Sequence, residues 1–146
     1  MAISTRLHGL IDYAAAVSLG GLALSGALRG RPGRVAAMAT AVPVAAFLST
    51  DFEGGVVPTF SVREHLTFDV VAGLLLAGTA LAMRREPPAA RAVLAGYGIA
   101  QFLLGLSTDP DAGSGPGDGA GPLERLFGGE DGLRPIAERV RRLVEA

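Results

Sequence analysis

Residues 3–12 read ISTRLHGLID and residues 60–69 read FSVREHLTFD. At an offset of 57 the two stretches share Ser, Arg, His and Asp in the order S-x-R-x-H-x-x-x-D. The chain has 2 histidines, and both stand here. A second pair follows at an offset of 58, where Leu-Ser-Thr-Asp at 48–51 returns at 106–109. Matching of rare residues in the same order reads as a duplication. The copies span residues 3–51 and 60–109, and each holds two apolar segments. An even number of segments per copy makes both copies enter a membrane in the same sense. They are then related by a pseudo-two-fold axis along the membrane normal.

Charge divides each copy. Residues 13–28, 35–50, 70–83 and 92–108 carry no charged side chain. These runs of 14 to 17 residues fall short of the ~20 that a spanning helix needs. Extending the first and third back to His8 and His65 makes up the length at the cost of a polar turn. A soluble bundle would keep a polar face on each helix at the 3.6-residue period. Residues 13–28 and 92–107 have none, so lipid accounts for the pattern better than water, and a soluble Ala-rich bundle is the alternative. Pro32-Gly33 and Pro87-Pro88 mark short turns, which places hairpin loops at 29–34 and 84–91. Pro43 falls within the second segment, where a kink is expected.

Composition agrees. Of 146 residues 49% are hydrophobic and only 18% charged. The 13 basic residues are all Arg and face 14 acids, for a net charge of −1, so no basic field exists to hold nucleic acid. With 0 Cys the chain forms no disulfide, thiolate site or Cys nucleophile. The hairpin loops carry six Arg and one Glu, whereas the opposite side carries Arg6 and Arg63 among acids. The positive-inside rule then sets the loops in the cytoplasm and the termini outside. No cleavable leader is expected, because Arg6, His8 and Asp12 come too early.

The segments His8-Gly9-Leu10-Ile11-Asp12-Tyr13, Thr50-Asp51-Phe52-Glu53-Gly54-Gly55, Pro58 and His65-Leu66-Thr67-Phe68-Asp69 carry a resemblance. Over roughly residues 3–109 the chain resembles small bacterial four-helix membrane proteins with SPW repeats. Ser25-Gly26-Ala27 and Thr79-Ala80-Leu81 stand where the name-giving Ser-Pro-Trp would end the first helix of each repeat. The resemblance implies a fold and a location in the bacterial inner membrane. It implies no activity.

The duplication gathers polar groups at one membrane face: Arg6, His8, Asp12, Asp51, Arg63, His65, Asp69 and Asp109. His8 and Asp12 are four apart and share a helix face, as do His65 and Asp69. Ionisable groups inside a span tend to face the bundle interior and pair. The leading reading is structural: Asp12 and Asp69 lie in the first helical turns, and Arg6 and Arg63 pair with Asp51 and Asp109. The sharper alternative is a divalent metal held by His8, His65, Asp12 and Asp69. Haem between the two His and a proton path are further readings. The path has little to continue it, since residues 14–28 and 70–83 offer only Ser18, Ser25 and Thr79. There is no nucleophile elbow and, without Lys, no phosphate loop.

Small residues recur four apart at Ala16/Gly20, Gly21/Ser25, Gly73/Ala77, Gly78/Ala82 and Gly96/Ala100, a spacing that permits close helix contact in lipid. Residues 110–132 read as a Gly/Pro-rich linker and 133–146 as a short amphipathic helix. The expected fold is all-α. A four-transmembrane-helix bundle of two tandem hairpins fills residues 1–109, followed by the linker and the amphipathic helix. The expected protein is a non-catalytic membrane component without a cofactor. Its partners are the bilayer and a second copy or another protein, met through small-residue faces or the 133–146 helix.

Overall fold

Four helices carry the chain: α1 (Thr5–Leu24), α2 (Gly30–Leu48), α3 (Val62–Ala82) and α4 (Pro88–Ser107). The computed structural model describes residues 3–51, 55–57 and 59–111. No strand occurs among them, only the single bridges Ile3–Thr108 and Thr50–Phe60. The 133–146 helix and all but the first two residues of the 110–132 linker lie outside the described residues.

The helices start where their caps stand. Ser4 Oγ accepts from the backbone N–H of Leu7 at 3.3 Å. Ser61 does the same for Glu64, whose carboxylate accepts in return from the Ser61 backbone, a reciprocal capping box. Both odd-numbered helices therefore begin three residues before their histidines. This corrects the placing of Asp12 and Asp69 in first turns: each is the eighth residue of its helix. It also lengthens α1 to 20 residues and α3 to 21, about 30 Å at 1.5 Å per residue.

The turns are shorter than expected, at 25–29 and 83–87. Gly26 takes φ +74°, the left-handed conformation that lets the chain leave α1. Pro32 and Gly33 belong to the first turn of α2 rather than to the loop. Backbone N–H groups have no partner within the helix in that turn, so proline costs nothing there. α2 runs on through Pro43.

α1 packs on α2, and α3 packs on α4. The second hairpin is drawn close by two glycines. A Cβ on Gly73 would lie 2.6 Å from the Gly98 carbonyl oxygen, and one on Gly98 would lie 2.6 Å from that of Gly73. Near the hairpin loops the core is Leu19, Leu28, Ala36, Leu76, Ala80, Met83, Ala90 and Leu94. The outer faces are apolar too: Val17 is 74% exposed, Leu24 91% and Leu81 64%. Three helices, α1, α3 and α4, are long and apolar enough to cross a membrane. α2 falls outside that group and carries Arg31 and Arg34 in its opening turns.

At the end opposite the hairpin loops the hairpins are stitched across each other. The Ile3 amide donates to the Ser107 carbonyl at 2.9 Å and the Asp109 amide to the Ile3 carbonyl at 3.1 Å. The Phe60 amide donates to Ser49 at 2.9 Å and the Asp51 amide to Phe60 at 2.7 Å. The start of α1 is thus held to the end of α4, and the start of α3 to the end of α2.

Candidate functional site

The stitching brings the inward faces of α1 and α3 together. A side chain four residues after another lies on the same helix face, so each helix presents a His and an Asp to the other. His8 Nε2 lies 3.1 Å from Asp12 Oδ2 and 3.0 Å from Asp69 Oδ2. His65 Nε2 lies 3.3 Å from Asp12 Oδ2 and 3.2 Å from Asp69 Oδ2. Two ring nitrogens and two carboxylate oxygens alternate around one point, all within 4.8 Å of one another. Buried charges of this kind are retained only when paired or coordinated.

The outer side of each imidazole is held as well. Thr108 Oγ1 lies 2.8 Å from His8 Nδ1, and Thr50 Oγ1 lies 3.1 Å from His65 Nδ1. Each threonine hydroxyl donates to the carbonyl four residues back, Thr108 to Leu104 at 2.8 Å and Thr50 to Ala46 at 2.7 Å. A hydroxyl has one proton. With that proton committed, each threonine oxygen accepts from Nδ1–H, which directs Nε2 at the carboxylates.

The two carboxylates differ. Asp69 is 1% exposed, and its second oxygen accepts from Gln101 Nε2 at 3.1 Å. Asp12 keeps 17% of its side chain exposed, and its Oδ1 takes no hydrogen bond among the described residues. Asp12 and Gln101 both border a mostly apolar cavity of about 140 Å³ that includes Leu19, Pro43 and Phe47. Beside it, Tyr97 donates to Ser18 at 2.7 Å and joins α4 to α1.

Of the eight polar residues expected in the layer, four meet: His8, Asp12, His65 and Asp69. Arg6 is exposed, with no ion pair among the described residues. Arg63 reaches Asp111 at 3.7 Å, both largely exposed, rather than Asp51 or Asp109. Those last two serve through their backbone amides. The expected Arg–Asp ties between hairpins are therefore replaced by backbone hydrogen bonds and by the His–Asp ring. Arginine heads at a helix end reach water, whereas the shorter His and Asp cannot. The haem reading meets an obstacle in the carboxylates between the rings. The ring centroids of His8 and His65 stand 5.7 Å apart, and the Asp12 and Asp69 carboxylate oxygens lie between them, where a macrocycle would have to sit.

Thr50 and Thr108 stand outside the eight residues expected in the polar layer. Their signal was the repeated Leu-Ser-Thr-Asp. Gln101 had no such signal, since positions 43 and 44, its counterparts by the repeat offsets, are Pro and Val.

The chain matches no family model, no curated protein and no solved structure.

Proposed function

We propose that the protein is a small, non-catalytic integral membrane protein of the SPW-repeat-like kind. In this reading all four helices span a bacterial inner membrane as two tandem, duplicated hairpins. The observation that carries it is where polarity sits. The outer faces are apolar along the helices, as at Val17, Leu24, Leu74 and Leu81, while the ionisable groups deep enough to be buried turn into one layer. Water would favour the reverse arrangement, and a bilayer favours this one. α2 is the fourth span. Its Arg31 and Arg34 sit at the loop end, where long side chains reach the interface.

The duplication draws support from matched contacts. Ser4 and Ser61 cap α1 and α3 alike. The Ile3–Thr108 and Thr50–Phe60 bridges exchange places between the two copies, as do the His8–Thr108 and His65–Thr50 contacts. The ring of His and Asp is then a clasp that ties the hairpins at the extracytoplasmic face. Its role is to hold a packing surface for the bilayer and for a partner. Gly21, Gly78 and Gly96 leave open space where a Cβ would stand, so small outward positions are available for close helix contact.

Lysis without detergent followed by alkaline extraction tests the membrane reading. The protein is expected to stay in the membrane pellet until detergent is added. Recovery in the supernatant after lysis alone would end this reading.

A further inference from the structure

The four atoms of the clasp are spaced as a ligand set around one point, at distances that also serve hydrogen bonds. Each Nε2 carries at most one proton. Here each Nε2 is nearly equidistant from two oxygens, 3.1 and 3.0 Å for His8, 3.3 and 3.2 Å for His65. Around a metal with bonds of ~2.0–2.2 Å, neighbouring ligand atoms in tetrahedral or flattened geometry stand roughly 2.8–3.6 Å apart. All four edges fall in that range.

The second observation is the tautomer. Thr50 and Thr108 have given their hydroxyl protons to Ala46 and Leu104. They take the Nδ1 protons of the two rings, so a neutral imidazole turns its Nε2 lone pair inward. That lone pair is held at the two carboxylates, where a cation completes the set; without one, a second proton on Nε2 lets the rings donate to Asp69 and Asp12 instead. Metal-bound histidines are oriented in this way, with the second ring nitrogen donating to a fixed acceptor.

We propose that His8, Asp12, His65 and Asp69 form a four-coordinate site for one divalent first-row transition cation of the zinc type, with Thr50 and Thr108 as the positioning residues that set the ligating tautomer. Two carboxylates and a dication sum to zero charge, which suits a buried layer. The N₂O₂ donor set selects against Mg²⁺ and Ca²⁺, which take oxygen shells, and holds no sulfur for Cu⁺ or iron–sulfur chemistry. All four positions come from the protein, as in structural rather than catalytic zinc sites. Asp12, the most accessible ligand and a border of the 140 Å³ cavity, marks the side from which the ion arrives. The inference deepens the clasp proposed above and rests on it only in using the same four residues.

The test uses the full chain purified in mild detergent. Metal content is read by elemental analysis. The protein is then stripped with chelator and titrated with Zn²⁺, Co²⁺, Mg²⁺ and Ca²⁺ while the melting temperature is followed. One equivalent of metal per chain is expected, with a raised melting temperature in Zn²⁺ and Co²⁺ and none in Mg²⁺ or Ca²⁺. Thr50→Val and Thr108→Val keep all four ligands and are expected to stay folded, with Zn²⁺ bound about 10- to 100-fold more weakly. His65→Ala is expected to lose the metal. Folded wild-type protein that neither retains metal nor responds to Zn²⁺ or Co²⁺ overturns the site. If Asp69→Asn still lowers the melting temperature of such protein, the clasp stands as ion pairs alone. If it does not, the clasp falls as well.

Discussion

Asp69 and Asp12 have the same spacing from their histidines and unequal surroundings. Asp69 is enclosed and accepts on both oxygens, from the histidines and from Gln101. Asp12 retains partial exposure beside the cavity. Breaking a buried charge pair by removing one partner costs about 3–5 kcal/mol, because the other charge is stranded. Asp69→Ala is expected to fall in that range. Asp12→Ala is expected to cost less, about 1–3 kcal/mol, the loss for a group that water can still reach. Gln101→Leu leaves one Asp69 oxygen without its donor and is expected to cost about 1–3 kcal/mol by the same reasoning. Unfolding in detergent, followed by circular dichroism, ranks the three. A larger loss for Asp12→Ala than for Asp69→Ala would show that the two carboxylates are misordered here.

At the scale of elements the second hairpin is the tighter of the two, and glycine is the reason. Gly73 and Gly98 bring the α3 and α4 backbones into direct contact. A methyl group at Gly73 would meet the Phe102 nitrogen at 2.5 Å, and backbone cannot swing aside as a side chain can. Gly73→Ala is expected to separate the helices and to destabilise by about 1–3 kcal/mol, the usual cost of overpacking. Gly78→Ala is the matched control, five residues along the same helix with nothing within 4 Å. It is expected to be neutral or to stabilise by up to about 0.5–1 kcal/mol, since alanine favours helix over glycine. Equal losses at both sites in thermal unfolding would refute this account of α3–α4 contact.

At the scale of the whole molecule, polarity is asymmetric from end to end. One end carries the short turns with arginines on and beside them, and the other carries the His–Asp layer. In the membrane reading proposed above, the positive-inside rule would set the turns in the cytoplasm. Cysteine at Ala27, an exposed turn position, is expected to resist an impermeant thiol reagent in intact cells. Cysteine at Val57, 59% exposed at the other end, is expected to react. Gly33 is unsuitable as a probe, because a Cβ there would lie 2.2 Å from the Leu28 carbonyl oxygen. The opposite labelling pattern would invert the topology.

Much of this architecture is local and therefore readable along the chain. Charge-free runs, Pro87-Pro88 and the i, i+4 pairing of His with Asp depend on near neighbours, and they pointed to four helices and to a polar layer. The helices start a few residues earlier than the apolar runs suggest, because Ser4 and Ser61 cap before those runs begin. The layer's membership was the harder matter. Arg6, Arg63 and Asp51 share its depth in the sequence yet end up exposed, while Thr50, Thr108 and Gln101 turn inward. Spacing along a helix says which residues share a face. It does not say which face meets the axis. That depends on how each helix is rotated against its neighbours, which contacts such as Gly73 on Gly98 and Ile3 on Ser107 decide. The bond from His8 to Thr108 joins residues 100 positions apart, and only the packed bundle brings them within reach.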